Sequence, residues 1–299
     1  MFNGYSRRLS IATLAVAGLI LGQRFLNDRV LVQPNIRNGH VLVDVHTHPA
    51  MTESIDELAE RLSHGAVGLA EKNSSNNILP YDLALRLLPN VQEIDEGLFA
   101  TFNYNGRRGY FFKVQEIRSD FHVLAIGIRK RLPDFIMAED AIDAIHANGG
   151  IAILNHPYIT VDGGTSIPTI LGENTGNYTE DRRAKLASVA EEVEEFNGNA
   201  VNALPGFYDL SESNRRTTKL RRKLQANGIA HKGIAVSDAH YVIAPILRAG
   251  ISVPGEGLNM KRLMQDIVDG NFEVHAQYAR RWDALSGVVL NKFYSKLLR

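Results

Sequence analysis

Val41-Leu42-Val43-Asp44-Val45-His46-Thr47-His48-Pro49 is the stretch on which the reading of the whole chain turns. Residues 41 to 45 are short and rich in β-branched side chains, so they read as a buried strand that ends in two imidazoles. Side chains at i and i+2 of a strand share a face. His46 and His48 can therefore reach one cation together, each through a neutral ring nitrogen of the kind borderline divalent metals accept. An isolated His-x-His also suits two solvated histidines at a strand end. The strand ends further along decide between these readings.

Working outward, Ile55, Leu58, Ala59 and Leu62 recur at helical spacing, and Ser54 with Glu57 forms the pattern of a capping box. Ala66 to Ala70 reads as a second strand and Tyr81 to Leu88 as a helix stopped by Pro89. Gly109 to Gln115 and His122 to Ile128 read as strands flanking a turn at Ser119-Asp120, so Glu116 closes one and His122 opens the next. Ala138 to Ala147 has helical spacing and ends at Asn148-Gly149-Gly150, after which Ile151 to Leu154 forms a strand leading into Asn155-His156-Pro157. The Gly-, Thr- and Asn-rich stretch from Thr160 to Thr179 predicts a long loop beside that strand end, where lids are found. A helix over Arg182 to Glu192, a strand over Val193 to Phe196 and a basic helix over Ser211 to Asn227 follow. Ile234 to Val236 is the next strand, and it ends in Ser237-Asp238-Ala239-His240. Leu258 to Gly270 reads as a helix, and residues 271 to 299 finish with a mixed apolar and basic one.

The alternation of strand and helix predicts an α/β chain folded as a β/α barrel. The 299 residues suffice for one such barrel or for two smaller domains. Lys plus Arg and Asp plus Glu number 33 each, so no overall field advertises nucleic acid or membrane as partner. The run Arg215, Arg216, Lys219, Arg221, Arg222 and Lys223 is a solvated helix face or a local grip on a nucleic-acid backbone. With no cysteine, thiolate metal sites and a cysteine nucleophile are excluded, and the ten histidines and the carboxylates must supply any metal ligands. His40, His64, His146, His231 and His275 lie outside the strand-end pattern and read as packing or surface residues.

Residues 1 to 40 read as an N-terminal apolar helix and linker. Arg7 and Arg8 precede an uncharged run from Leu9 to Gln23 that is short for a membrane span of roughly 20 residues. A buried helix, a removed signal and a membrane tether through residues 9 to 23 all fit that pattern, so both a cytoplasmic and an exported location stay open.

Five strand ends thus carry His46 and His48, Glu116, His122, His156, and Asp238 with His240. In a barrel those ends meet on one face, where a cluster of imidazoles and acids suits Zn, Mn or Fe, with ligands enough for two adjacent ions. Glu194 and Asn197 fall where they can orient ligands, and Glu195 then points away.

The succession DVHTHP, QEIRSDFHVLAIG, GGIAILNHP, VEEFNG and GIAVSDAH resembles, in order and over residues 41 to 278, the PHP (polymerase and histidinol phosphatase) family of metal-dependent phosphoesterases. The resemblance implies a distorted, seven-stranded, TIM-like barrel as the metallohydrolase domain over 41 to 278, and residues 279 to 299 beyond it read as a C-terminal helix. It also implies a cluster of divalent ions, with His46, His48, His122, His156, Asp238 and His240 as metal ligands and Glu116 bridging. Glu53 matches an aspartate that follows the first motif. The implied reaction is attack on a small-molecule phosphoester by a hydroxide held on the metals, with His240 or His156 handling the leaving-group proton.

One departure stands out. Where the family has Thr-Asp-His-Asn, this chain has Ala70-Glu71-Lys72-Asn73, and a protonated lysine offers three donors and no lone pair. The resemblance then implies a cluster short of one ion, with Lys72 serving as a point charge toward a substrate phosphate or toward the carboxylates. Two alternatives follow: an amide or carbamate metallohydrolase, and a degenerate domain that binds ligand without turnover.

Overall fold

In a computed structural model, residues 35–50, 54–73, 78–159, 179–200, 211–240 and 245–280 are described. The first strand, β1 (His40–His48), is buried from Leu42 onward and holds the centre of the sheet. It pairs in parallel with β2 (Ala66–Glu71), which pairs in parallel with β5 (Arg107–Ile117). β6 (Val123–Ile126) runs antiparallel between β5 and β7 (Ile151–Leu154). β8 (Glu192–Asn197) and β9 (Ile234–Val236) then add in parallel. The short β10 (Ala239–His240) returns to pair with β1, so the sheet curls into a nearly closed barrel. β3 (Gln92–Asp95) and β4 (Phe99–Tyr104) extend it antiparallel from β5, while β11 (Gly250–Pro254) and β12 (Glu273–His275) extend it from β1.

The barrel and its strand ends are as the sequence predicts, with one strand, β6, reversed. Only residues 118–122 join β5 to β6, and a link that short can only return antiparallel, because a parallel crossover takes a dozen residues or more. The reversal places His122, at the start of β6, beside Glu116, near the end of β5.

The barrel interior is filled by Val43 and Val45 of β1, Val114 of β5, Leu124 and Ile126 of β6, and Ile153 of β7. Its floor is closed by Met260, Leu263 and Ile267 of α6 (Met260–Val268). On the outside, α1 (Ile55–Leu62) and α2 (Tyr81–Leu87) pack Leu58, Leu62 and Tyr81 on Val67 and Phe111. α3 (Ala138–Ala147), α4 (Glu180–Val189) and α5 (Ser211–Ala226) pack Ile142, Leu186 and Leu220 on Leu154 and Val193. α6 carries its apolar residues at helical spacing, and burying that stripe is what seats it against the barrel.

Some expectations are corrected. α4 runs from Glu180, with the Thr179 hydroxyl accepting the Arg182 N–H, and ends at Val189. Glu192 therefore opens β8, where its carboxylate accepts the N–H groups of Lys232 and Gly233. Ser54 precedes α1 but makes no side-chain cap. The expected N-terminal helix or tether, Glu53, the loop over 160–178 and the helix beyond 280 lie outside the described residues. Among the described residues, no helix is long and apolar enough to cross a membrane.

Candidate metal centre

A bulge aims the first two histidines. Val43 and Val45 point into the barrel, so simple alternation would turn His46 and His48 outward. Asp44 pairs with Val67 and Thr47 with Leu69, three steps on β1 against two on β2. The extra residue reverses the parity, and both imidazoles enter the mouth of the barrel. Asp238 arrives from the other side of the seam. Its N–H donates to the His46 carbonyl at 2.9 Å, and its φ of 48° lies in the left-handed region that Asp tolerates better than most residues.

Four ligand atoms converge there. His46 Nε2 is 3.0 Å from His48 Nε2, 3.7 Å from Glu116 Oε2 and 3.4 Å from Asp238 Oδ1. His48 Nε2 is 3.0 Å from Glu116 Oε2 and 3.8 Å from Asp238 Oδ1. A tetrahedral ion with ligands at roughly 2.0–2.1 Å sets them roughly 3.3–3.4 Å apart, in the middle of this range. Glu116 Oε2 and Asp238 Oδ1 are also buried atoms that make no hydrogen bond of acceptable geometry. Each has a charged or chargeable neighbour, Lys72 Nζ at 2.6 Å and His240 Nδ1 at 3.1 Å, and a cation held between His46 and His48 would give both a further partner.

Protons on the histidines point the same way. His46 Nδ1 lies 2.9 Å from Glu194 Oε2, His48 Nδ1 2.7 Å from the Ala70 carbonyl, His156 Nδ1 3.0 Å from the Ile159 carbonyl and His240 Nδ1 2.9 Å from the Asp238 carbonyl. Each of those partners only accepts, so each Nδ1 carries the hydrogen and each Nε2 of a neutral ring presents a lone pair. This is the arrangement by which neighbouring groups orient metal-ligating histidines.

The second carboxylate oxygen of Glu116 serves a neighbouring group. Glu116 Oε1 is 2.6 Å from His122 Nδ1 and 3.8 Å from His156 Nε2. His46, His48 and Asp238 form one set of three that could hold a metal ion, and Glu116, His122 and His156 another. His240 stands apart from both sets. Its Nε2 faces Lys72 Nζ at 3.2 Å, and Lys72 Nζ is 2.6 Å from Glu116 Oε2.

The field in the pocket favours positive charge at its centre. Burial opposes charge on His46, yet the carboxylates of Asp238 and Glu194 hold its pKa well above the usual imidazole range. Burial, with the Lys72 and His240 charges beside it, keeps His48 well below that range and so available as a neutral ligand. Burial works against Glu116 and Asp238 as carboxylates. Lys72 and His122 outweigh it for Glu116, and His46 and His240 for Asp238, so both stay ionised well below their ordinary range.

Asn197 ties the supporting groups together. Its side-chain amide donates to Glu194 Oε1 at 2.9 Å and to Asp238 Oδ2 at 2.8 Å. Glu195 points away and pairs with Arg221. The basic run is partly neutralised, since Arg215 and Arg216 pair with Glu212. Sequence reasoning missed Asp44. It is fully buried and accepts the Ser237 N–H on Oδ1 and the Leu247 N–H on Oδ2, each at 3.0 Å, which locks β1 to the segments that carry Asp238. An acid inside an apolar run is the signal that marks it.

No family model and no curated protein matches the chain. Six chains among solved structures do match. One is a two-domain protein from Bacteroides vulgatus containing a predicted PHP-like metal-dependent phosphoesterase, 13% identical, with a TM-score of 0.47 over 83% of this chain and 70% of that one. A likeness of that degree says nothing about which reaction the site performs.

Proposed function

We propose that the chain is a metal-dependent hydrolase that cleaves phosphoesters at the mouth of the barrel, with residues 41–278 as the hydrolase domain. The observation that carries this reading is the convergence of His46, His48, Glu116 and Asp238, with two imidazole nitrogens and two carboxylate oxygens brought together in a buried pocket. The second set, Glu116, His122 and His156, suits a neighbouring ion. His and carboxylate donors without sulfur suit Zn, Mn or Fe. When bound, such ions supply the Lewis acidity that polarises a phosphoryl oxygen and acidifies a water.

The chain's own groups divide the remaining work. Glu194, the Ala70 carbonyl and Asn197 hold the ligands in place. Lys72 and His240 keep 23% and 24% of their side-chain surface exposed while most of the cage is covered, so a substrate entering from solvent meets them first. An ammonium there suits an anionic substrate, which favours a phosphoester over an amide or carbamate. His240, at the exposed edge with its Nε2 against Lys72, would pass a proton to the departing alkoxide, and His156, in the second set, is the other candidate.

The test is a substrate panel of an aryl phosphate monoester, a bis-aryl phosphate diester and an aryl carbamate, each with Mn²⁺ or Zn²⁺. Phosphoester hydrolysis that chelation abolishes, that added metal restores and that His48→Ala removes is the expected result. Turnover of the carbamate alone supports the amide or carbamate reading. Tight metal binding with no turnover of any substrate supports a non-catalytic domain.

A further inference from the structure

We infer that the Lys72 ammonium is a built-in cation that takes the place of one ion, so that the centre accepts divalent ions at its two ligand sets and at no third position. The inference rests on the metal-centre reading above and concerns how many ions that centre holds. Glu116 is the hinge of the geometry. Its Oε2 belongs to the cage of His46, His48 and Asp238, and its Oε1 faces His122 and His156. Lys72 Nζ meets the same Oε2 from a third direction, at 2.6 Å, and takes the His240 Nε2 lone pair at 3.2 Å.

His240 thus presents to Lys72 the atom that His46 and His48 present to the cage. The His240 ring centre is 4.4 Å from that of His48, so the lysine head, held between His240 and Glu116, borders the cage on its solvent side. Charge agrees with geometry. Glu116, Asp238 and Glu194 bring three carboxylates to the pocket, and the Lys72 ammonium is paired with one of them. An ammonium has no lone pair, so it cannot be a ligand, and its repulsion disfavours a further divalent ion within a few ångströms.

The experiment is equilibrium dialysis of the full chain against Mn²⁺ and, separately, Zn²⁺, with elemental analysis of the ions retained. Wild type, Lys72→Met, Lys72→His and Lys72→Arg are compared. The expected result is at most two ions per chain in wild type and in Lys72→Arg, and one more than wild type in Lys72→Met and Lys72→His, with the histidine variant holding it more tightly. Equal counts in wild type and both uncharged variants, or an extra ion in Lys72→Arg, overturn the inference while leaving the metal-centre reading in place. No ions in wild type but one in Lys72→His supports the role of the lysine and overturns the hydrolase reading; no ions in any protein overturns both. Should the uncharged variants fail to fold, wild type decides alone: a third retained ion overturns the inference, and saturation at two or fewer supports it.

Discussion

Glu194 Oε2 lies 2.9 Å from His46 Nδ1, and both side chains are fully buried. The contact fixes which nitrogen of His46 carries the hydrogen and raises the basicity of the other, which faces the cage. Partners of this kind are typically worth 10- to 100-fold in metal affinity. Glu194→Gln keeps an acceptor for the ring but loses the charge, so Zn²⁺ affinity is expected to fall roughly tenfold, and Glu194→Ala, which loses both, roughly a hundredfold. Calorimetric titration of the metal-free protein measures this. Unchanged affinity in Glu194→Ala would remove Glu194 from the support of the site.

Asn197 is expected to couple two carboxylates, because its amide donates to Glu194 and to Asp238. Asn197→Ala leaves two buried acids short of a donor, a loss of roughly 1–3 kcal/mol for each charged hydrogen bond. Urea unfolding should show a large drop in stability, and metal affinity should fall with it. In the double variant with Glu194→Ala, the two losses should sum to more than the pair costs together, since they share a contact.

Much of this was legible in sequence, and the parts that were not have physical reasons. Ile151–Leu154 and Ile234–Val236 are apolar runs cut off by polar residues, and both strands form over those residues. The hairpin of β3 and β4 escaped notice because Gln92–Asp95 is a mostly exposed, polar edge strand with no buried face to impose alternation. β11 escaped because Gly250 and Pro254 bound it, and both residues read as breakers. The lysine in place of a metal ligand could be read directly. That its head would lie between Glu116 and His240, the latter 168 residues away, is a product of barrel closure. The bulge in β1 leaves no mark in composition at all.

Asp44 makes stability depend on pH in an unusual direction for a carboxylate. Burial raises its pKa from 3.8 to about 6, and the hydrogen bonds from Ser237 and Leu247 offset only part of that. The folded state therefore binds this proton more tightly than the unfolded state, so the contribution of Asp44 to stability is greatest below pH 4 and declines as pH rises toward 6. At 1.36 kcal/mol per unit the decline amounts to roughly 3 kcal/mol. Asp44→Asn cannot titrate, and its single oxygen leaves one backbone N–H unpaired. The stability difference between wild type and Asp44→Asn should therefore shrink by about that amount between pH 4 and pH 7. A difference that grew with pH would contradict the assignment.

Gly68 sets how closely β1 and β2 approach. A Cβ there would lie 2.5 Å from the Val45 carbonyl oxygen and 2.9 Å from Val114 Cγ2, and a backbone oxygen within the sheet cannot swing aside. The Thr47 hydroxyl also donates to the Gly68 carbonyl at 2.8 Å, one residue from each metal-facing histidine. Gly68→Ala should destabilise the fold by roughly 1–3 kcal/mol through overpacking, seen as a lower urea midpoint. Because the strand that must yield carries His46 and His48, metal affinity should fall as well. A Gly68→Ala protein with wild-type affinity would show that the strands separate without moving the histidines.

Metal removal should loosen the whole barrel, because the cage joins β1, β5 and the segment after β9 through His46, His48, Glu116 and Asp238. An ion that binds only the folded chain stabilises it by roughly 4 kcal/mol when present at 1,000 times its dissociation constant. For a chain of this size that is a rise on the order of 10 °C in Tm. Wild type in chelator should therefore melt on the order of 10 °C lower than in saturating Zn²⁺ or Mn²⁺, and His48→Ala should melt at one temperature in both. The shift should fade in acid, because the carboxylates around His46 hold its proton tightly and the ion must displace it. A wild-type melting temperature indifferent to metal at neutral pH would mean that four converging ligand atoms hold nothing, and the hydrolase reading would fall with the cage.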